Sequence, residues 1–287
     1  MFNKAVEVLE QCKAENKRIS DVVMERDILS LDISKEELIH KMEEVLNVMK
    51  ASALEALDKN IMSVSGLTGG NSKKIEDYKN NSKTLSGEFL NGAMAKAFST
   101  SEVNASMGQV VAAPTAGASG IMPSAILSAK EKLDLNDDDL IRGLFTAAGI
   151  GEICAKNATI SGAEGGCQAE CGVAAAMAAG AIVEMAGGSP EASFVAASFA
   201  LTNIMGLVCD PIGGLVEYPC ALRNASGVVN AFISADMALA GVQSLIPFDE
   251  VVEAMYKVGK ALPESLRETA LGGLAITPTA RKLCDNL

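Results

Sequence analysis

The N-terminal part of the chain carries a clear helical pattern of apolar and polar positions. Ser34 begins the sequence S-K-E-E, in which Glu37 stands three residues further on, the spacing of a capping box. Apolar side chains then recur about one helical turn apart, at Leu38, Met42, Val45, Leu46, Met49, Ala53 and Leu57. The pattern predicts a helix over residues 35–58.

Local start signals predict further helices along the rest of the chain. Asn136 precedes three aspartates, and Ser189 precedes Pro190 and Glu191, so each of the two sequences is typical of a helix N-terminus. We find no internal repeat and no sustained strand alternation. Helices are predicted near residues 86–98, after Pro123, after Asn136, from Cys167 to Gly187, from Ser189 onward, and over residues 220–244, 249–260 and 278 onward.

The composition also favours helices over sheets. Hydrophobic residues make up 49% of the chain, yet aromatic residues make up only 4% and Trp is absent. The core must therefore consist largely of Ala, Leu, Ile, Val and Met, whereas strands favour aromatic and β-branched side chains. Charged side chains are dense in residues 1–60 and sparse in residues 143–248. We expect an all-α fold with a single domain over residues 1–287, on which the charged helices of residues 1–60 pack.

Charge and cysteine usage narrow the classes of function. The formal net charge of −12 disfavours binding to nucleic acid, because an acidic surface repels phosphates. Polar and small residues interrupt the uncharged run at residues 192–209, so we expect a core helix there and no membrane span. Charges close to the N-terminus argue against a signal peptide. The seven cysteines, an odd number, favour free or metal-binding thiols in the cytoplasm.

The sequence C-Q-A-E-C, at residues 167–171, places thiols and carboxylates in a helix of small residues. Cys167 and Cys171 are four apart and share a helix face. Buried structural thiols, a disulfide and a metal site are three competing explanations. Cys209 and Cys220 bracket the loop C-D-P-I-G-G-L-V-E-Y-P-C, which suits a metal clamp and equally suits two unused thiols at helix ends.

The type of metal is limited by the remaining residues. Zinc is a poor fit because C-x-x-C is absent and the single histidine, His40, lies on a charged helix. An iron–sulfur cluster tolerates freer thiolate spacing. One cysteine of C-Q-A-E-C together with Cys209 and Cys220 would leave one iron open as a Lewis acid. From the residues alone, this cluster and a set of buried structural thiols both remain open.

Four segments resemble the iron–sulfur-dependent L-serine dehydratases. They are A-P-T-A-G-A-S-G-I-M-P at residues 113–123, K-N-A-T-I-S-G-A-E-G-G-C-Q-A-E at 156–170, G-L-V-C-D-P-I-G-G-L-V-E-Y-P-C-A-L-R-N at 206–224 and R-E-T-A-L-G-G-L-A at 267–275. The motifs are long and specific, and the similarity spans most of the chain after about residue 60. The length resembles that of the catalytic alpha chain of the two-chain bacterial form.

The resemblance implies a catalytic domain whose Gly/Pro-rich loops surround a 4Fe–4S cluster, without pyridoxal phosphate. The motif around S-G-A-E implies that Cys167 is one ligand, and C-D-P…P-C implies Cys209 and Cys220. Cys171 falls outside the motif, so its role stays open. In the family, a cysteine near the C-terminus can cap the open iron until substrate displaces it, and Cys284 resembles that cysteine.

The resemblance also implies a substrate, L-serine, which would be converted to pyruvate and ammonia. Arg223 is expected either to pair with a substrate carboxylate or to form a structural bridge to an acid such as Glu217. Glu164 is expected to be either a base whose pKa is raised by burial or a hydrogen-bond acceptor that supports the cluster ligands. The candidate substrate contacts are Thr68, Gly70, Asn71, Thr115, Ser119, Ser161 and Arg223.

The family implies a partner chain as well. The other chain of these dehydratases carries a serine-rich motif with a histidine, and no such segment occurs here, since His40 does not match it. We therefore expect a beta chain as partner, with a homo-oligomer as a further candidate assembly. Two alternatives remain: a cysteine desulfidase-type lyase on the same cluster, and a non-enzymatic helical subunit without a cluster.

Overall fold

The computed structural model describes residues 2–285 and builds them from α-helices joined by loops. Within that part of the chain there is no β-sheet, and two isolated bridges pair Met62 with Gly69 and Cys209 with Arg267. The predicted all-α fold is thus confirmed. The helices are α1 Ala5–Glu15, α2 Ile19–Leu31, α3 Lys35–Leu54, α4 Asn71–Asn81, α5 Gly87–Ala105, α6 Ile121–Leu133, α7 Asp137–Asn157, α8 Gly162–Gly165, α9 Val173–Met185, α10 Pro190–Asn203, α11 Cys220–Leu239, α12 Phe248–Ala261 and α13 Pro278–Cys284.

Helix α9 forms the centre of the molecule. All its residues from Val173 to Glu184 are buried, and most of them are alanine or glycine. A helix that is apolar on every side can only be stable when other helices surround it, and α6, α7, α10 and α11 contact α9. The small side chains permit close approach: a Cβ at Gly180 would clash with Ile150 of α7.

The N-terminal helices pack on this body rather than forming a separate unit. Helix α2 contacts α7, and α3 contacts α5, α6 and α7. Phe2 is 1% exposed, and the carboxylate of Asp249 accepts a hydrogen bond from the Ala5 amide at 2.8 Å. Arg142 of α7 forms a salt bridge with Asp21 of α2, with 2.8 Å between Nη1 and Oδ1. Some charges of the first 60 residues thus pair across helices, while others form local ion pairs such as that of Lys41 with Glu37.

Most predicted helix starts agree with the structure. The side chains of Ser34, Asn136, Ser189 and Thr277 each accept a hydrogen bond from an amide in the first turn of the following helix. The region predicted as one long helix over residues 35–58 ends earlier, at Leu54. None of the helices described combines the length and apolarity that crossing a bilayer requires.

Helix α4 was not predicted, because its N-terminus depends on a distant side chain. Gly70, at φ +66°, is its N-cap and offers no capping side chain. The Glu102 carboxylate of α5 instead accepts hydrogen bonds from the amides of Asn71 and Ser72. This contact anchors the end of the loop that carries Thr68 and Asn71, two of the predicted substrate contacts.

Candidate active site

Cys167 and Cys171 meet at the start of the central helical segment. Cys167 follows the short helix α8 and leads into a π-helical turn, Gln168–Gly172, where a regular α-helix was expected. Such wide turns occur often at functional sites. The two Sγ atoms lie 3.4 Å apart, well beyond the length of a disulfide bond, which is about 2.05 Å. All seven cysteines are free thiols, so the disulfide hypothesis is wrong in this structure.

Cys209 and Cys220 join this pair from the loop between α10 and α11. Cys209 is held by the segment after α12: its amide donates to the Leu266 carbonyl at 2.9 Å, and its carbonyl accepts from the Glu268 amide at 2.8 Å. Cys220 is the first residue of α11. The three cysteines of the family motif therefore come from two separate segments, and Cys209 and Cys220 both interact electrostatically with Cys167.

The four thiols strongly influence one another. The pKa of Cys167 is held well below its usual range by hydrogen bonds with Cys171 and Cys209 and by the positive charge of Arg223. The pKa values of Cys171 and Cys209 are raised because both interact with a thiolate at Cys167 and are buried. Burial raises the pKa of Cys220 to about 12. Cys167 is thus the thiol that ionises most easily.

Arg223 supplies the positive charge of this region and is fixed by Asp210. Its Nη2 lies 2.7 Å from Asp210 Oδ1, and its Nη1 donates to the Val208 carbonyl at 2.9 Å. The acid named as the structural alternative, Glu217, is not its partner, since Glu217 instead accepts hydrogen bonds from Ser65 and Thr68.

Two carboxylates at this site were not selected by sequence reasoning. Glu170 accepts a hydrogen bond from the Thr115 hydroxyl at 2.7 Å, and its second oxygen lies 3.8 Å from the Cys209 sulfur. One possible metal-ligand atom from each of Glu170, Cys209 and Glu268 lies within 4.8 Å of the other two. Burial raises the pKa of Glu170 to about 7, and the charges of Cys167 and Glu268 add to this effect. The sequence feature that could have identified Glu170 as a site residue is its position inside C-Q-A-E-C.

Glu164, the carboxylate that the sequence favoured as a base, is exposed. The burial that the general-base hypothesis assumed is therefore not found at this residue. Its backbone carbonyl lies 3.5 Å from Arg267 Nη1. A catalytic role for Glu164 stays an untested prediction.

The other predicted substrate contacts fall into two groups. Thr115 and the fully buried Ser119 lie on the loop that contacts Glu170, whose carboxylate would be 3.2 Å from a Cβ at Gly117. Ser161 occupies the N-cap position of the short helix α8 before Cys167, and its side chain makes no capping hydrogen bond. Thr68 and Asn71 line a separate cavity of about 490 Å³ next to the start of α11, and the buried Gly70 lies between them in the chain.

Cys284 is half-buried at the end of α13. This helix packs against the turn Ile212–Gly214, which lies in the loop between Cys209 and Cys220. Among residues 2–285, no hydrogen bond joins Cys284 to the other cysteines. Its role as a fourth ligand stays a prediction.

The donor set fits an iron–sulfur cluster better than zinc. Cys167, Cys209 and Cys220 supply soft thiolate ligands from separate segments, and no histidine is near. Arg223 would offset part of the negative charge that three thiolates bring to a buried site. Cys167, Cys209 and Cys220 would hold the cluster, which would supply a Lewis-acidic iron.

Comparison with known proteins finds matches to serine dehydratase alpha chains over most of this chain. The family model described as serine dehydratase alpha chain matches residues 3–275. The L-serine dehydratase alpha chain of Peptoniphilus asaccharolyticus is 52% identical over 283 residues, covering 99% of this chain and 97% of the relative. The probable L-serine dehydratase alpha chain of Bacillus subtilis (strain 168) is 50% identical over 283 residues, covering 99% and 94%.

A longer relative matches this chain over only part of its own length. L-serine dehydratase 1 of Escherichia coli (strain K12) is 36% identical over 286 residues, which cover 96% of this chain and 62% of the relative. Fold and site together define an all-α protein with a buried thiol centre lined by carboxylates. The chain belongs to the serine dehydratase alpha chain family.

Proposed function

We propose that this chain is the catalytic chain of an iron–sulfur-dependent L-serine dehydratase, which converts L-serine to pyruvate and ammonia. One observation carries the proposal: Cys209 and Cys220, from the loop between α10 and α11, both interact with Cys167, and the buried Arg223 cation interacts with Cys167 and Cys220. The names of the full-length relatives support serine as the substrate.

The reaction requires two events at neighbouring carbon atoms of serine. A base removes the α-proton, and the β-hydroxyl leaves with a proton as water, which yields 2-aminoacrylate. This product isomerises to the imine, and water then hydrolyses the imine to pyruvate and ammonia. When bound, the 4Fe–4S cluster would supply Lewis acidity at the β-hydroxyl, a leaving group that is poor without such help.

The residues of this chain would hold and orient the reactants. Arg223 keeps a fixed positive charge beside the thiolates, because Asp210 and the Val208 carbonyl hold both its terminal nitrogens. Thr115 orients the Glu170 carboxylate through the hydrogen bond to Oε1. We do not assign the base to Glu164, because that residue is exposed in the structure.

We further propose that a second chain completes the enzyme. The Escherichia coli relative is longer, and this chain covers 62% of it, so part of that relative has no counterpart here. The relatives called alpha chains are by name parts of a larger assembly. The free thiols fit the reducing cytoplasm that we propose as the location.

The test is anaerobic purification followed by iron and sulfide analysis, with pyruvate and sulfide measured from L-serine and L-cysteine. We expect iron and sulfide in the purified chain, and pyruvate from serine that requires the second chain. Sulfide release from cysteine without turnover of serine would favour a cysteine desulfidase. A chain that contains no iron and is inactive with its partner would favour a non-enzymatic subunit.

A further inference from the structure

Two carboxylates come together at the edge of the thiol centre. Donor atoms of Glu170 and Glu268 lie within 4.8 Å of each other and of the Cys209 sulfur. Within residues 2–285, neither carboxylate forms a salt bridge with a lysine, arginine or histidine. Two like charges at this distance repel each other in a partly buried site unless a cation lies between them or one is protonated.

The backbone places these carboxylates by specific contacts. Glu268 adopts φ +64°, an uncommon left-handed conformation for a residue other than glycine, while its amide bonds to the Cys209 carbonyl. Glu170 is held on the other side by Thr115. Gly162 leaves room for the Glu170 carboxylate and the Cys209 sulfur, because a Cβ there would lie 2.5 Å from Glu170 Oε2 and 3.1 Å from the sulfur.

A second observation comes from the loop that contacts Glu170. Ser119 is 1% exposed, and its hydroxyl has no hydrogen-bond partner among the described residues. It lies two residues after Gly117, whose Cβ position would be 3.2 Å from Glu170 Oε1. A fully buried hydroxyl without a partner in the protein can still bond to water or to a polar ligand.

We propose that Glu170 and Glu268 together bind the α-ammonium group of the amino-acid substrate. The proposal rests on the proposed function and assigns two residues to substrate recognition. A substrate ammonium carries one positive charge and three donors, so it can bridge the two carboxylates and relieve their repulsion. The Cys209 sulfur, which lies beside the two carboxylates and could join them in a metal site, is assigned to the cluster.

This assignment makes the carboxylate pair the determinant of selectivity for α-amino acids. An α-hydroxy acid presents a neutral hydroxyl in place of the ammonium and leaves the two carboxylates without their counter-charge. Sites built around a charged hydrogen-bond partner reject analogues that lack it far more strongly than sites built on shape. L-Glycerate, which differs from L-serine only in this group, is therefore a suitable probe.

The experiment uses the cluster-loaded chain with its partner chain and compares wild type with Glu268→Gln and Glu170→Gln. We expect each variant to raise the KM for L-serine about 10- to 100-fold, the range of a charged hydrogen bond. The inhibition constant of L-glycerate should change less than about threefold, because no ammonium is lost. Glu264→Gln, an exposed residue in the same segment, is the matched control.

Iron content, thermal unfolding and ligand-induced shifts in Tm are measured on the same samples. A parallel rise of both constants would overturn the proposal, since it would mean that the carboxylates act on pocket shape. Loss of iron in Glu268→Gln would overturn it in favour of metal binding. If the glutamine variants do not fold, Glu268→Asp is used instead, because it retains the charge. Its KM for L-serine should rise, but by less than the 10- to 100-fold expected for the glutamine variants.

Failure of the proposed function is distinguishable from failure of this inference. If wild type neither binds L-serine nor forms pyruvate, the proposed function is wrong. If wild type turns over serine while the variants keep its discrimination against L-glycerate, only the ammonium assignment is wrong.

Discussion

Arg223 and Asp210 form a buried salt bridge, with 2.7 Å between Nη2 and Oδ1 and side-chain exposures of 15% and 4%. Asp210 directly follows Cys209, and Arg223 lies three residues after Cys220. The second carboxylate oxygen of Asp210 accepts the Leu274 amide at 2.7 Å. The bridge therefore ties together the two ends of the cysteine loop and the segment after α12.

We expect Asp210→Ala to destabilise the protein and to reduce its iron content. The substitution leaves the Arg223 guanidinium buried without its carboxylate, which typically costs about 3 kcal/mol or more. Anaerobic urea unfolding and iron analysis measure the two effects. Asp236→Ala, at an exposed position of α11, should change the free energy of unfolding by about 0.5 kcal/mol or less. Equal stability and iron content in both variants would contradict the structural role.

Cys167→Ser, Cys209→Ser and Cys220→Ser should each abolish cluster binding. A serine hydroxyl is a much poorer ligand for iron than a thiolate. In the proposed site, three thiolates hold three irons of the cluster and leave the fourth iron open. Iron and sulfide per chain are measured after anaerobic purification. Cys154→Ser is a buried control in α7 and should retain its iron. Full iron content in any of the three variants would remove that cysteine from the ligand set.

Gly162→Ala should impair the site without unfolding the chain. The added Cβ would lie 2.5 Å from Glu170 Oε2 and 3.1 Å from the Cys209 sulfur, so one of them must move. We expect kcat/KM for L-serine to fall about 10-fold or more, as small displacements of catalytic groups do. The control Gly92→Ala in α5 places its Cβ 3.6 Å from the Lys79 side chain of α4 and should stabilise the helix by about 0.5–1 kcal/mol. Unchanged kinetics in Gly162→Ala would show that the site tolerates the shift.

The parts of the fold that follow local chemistry were predictable from the sequence. The starts of α7, α10 and α13 each depend on a capping side chain three residues from the amide that it binds. Helix α4 was missed because its first amides bind Glu102, thirty residues further along the chain. The π-helical turn was missed because one wide turn leaves no periodic trace in the sequence.

In the site too, residues within local motifs could be predicted and residues placed by distant contacts could not. The three cysteines stand in long motifs, so sequence alone could select them. Glu268 could not be selected, because its position depends on a left-handed backbone and on a bridge between its segment and Cys209. Glu164 was preferred over Glu170 because sequence spacing does not report that one side chain is exposed and the other buried.

Glu102→Gln should make the free energy of unfolding less dependent on pH. Burial raises the pKa of the Glu102 carboxyl in the folded chain. The contribution of the protonated Glu102 carboxyl to stability is therefore fully present below the unfolded pKa of about 4.3. That contribution is lost as pH rises through the folded pKa. Glutamine keeps the acceptor for the Asn71 and Ser72 amides without the charge. Relative to wild type, the variant should gain stability between pH 5 and pH 8 in urea unfolding, and an identical difference at both pH values would contradict this.

The last prediction concerns Cys284 as a ligand that protects the open iron. Helix α13 contacts the turn Ile212–Gly214, which lies in the loop between Cys209 and Cys220, so the half-buried Cys284 thiol belongs to an element packed on that loop. Asn286 and Leu287, which follow it in the sequence, lie outside the described residues. Since an iron without a fourth thiolate is accessible to oxidants, Cys284→Ala should keep its iron under anaerobic conditions and lose it faster in air.

Arg281→Ala is the matched control for Cys284→Ala, because it changes an exposed side chain of the same helix and leaves the thiol in place. The rate of iron loss in air and the absorption spectrum of the cluster, with and without L-serine, separate the two variants. In wild type, serine should speed the oxidative loss by displacing the thiol, and Cys284→Ala should show that faster rate without serine. Equal rates and spectra in wild type and both variants would mean that Cys284 does not reach the cluster.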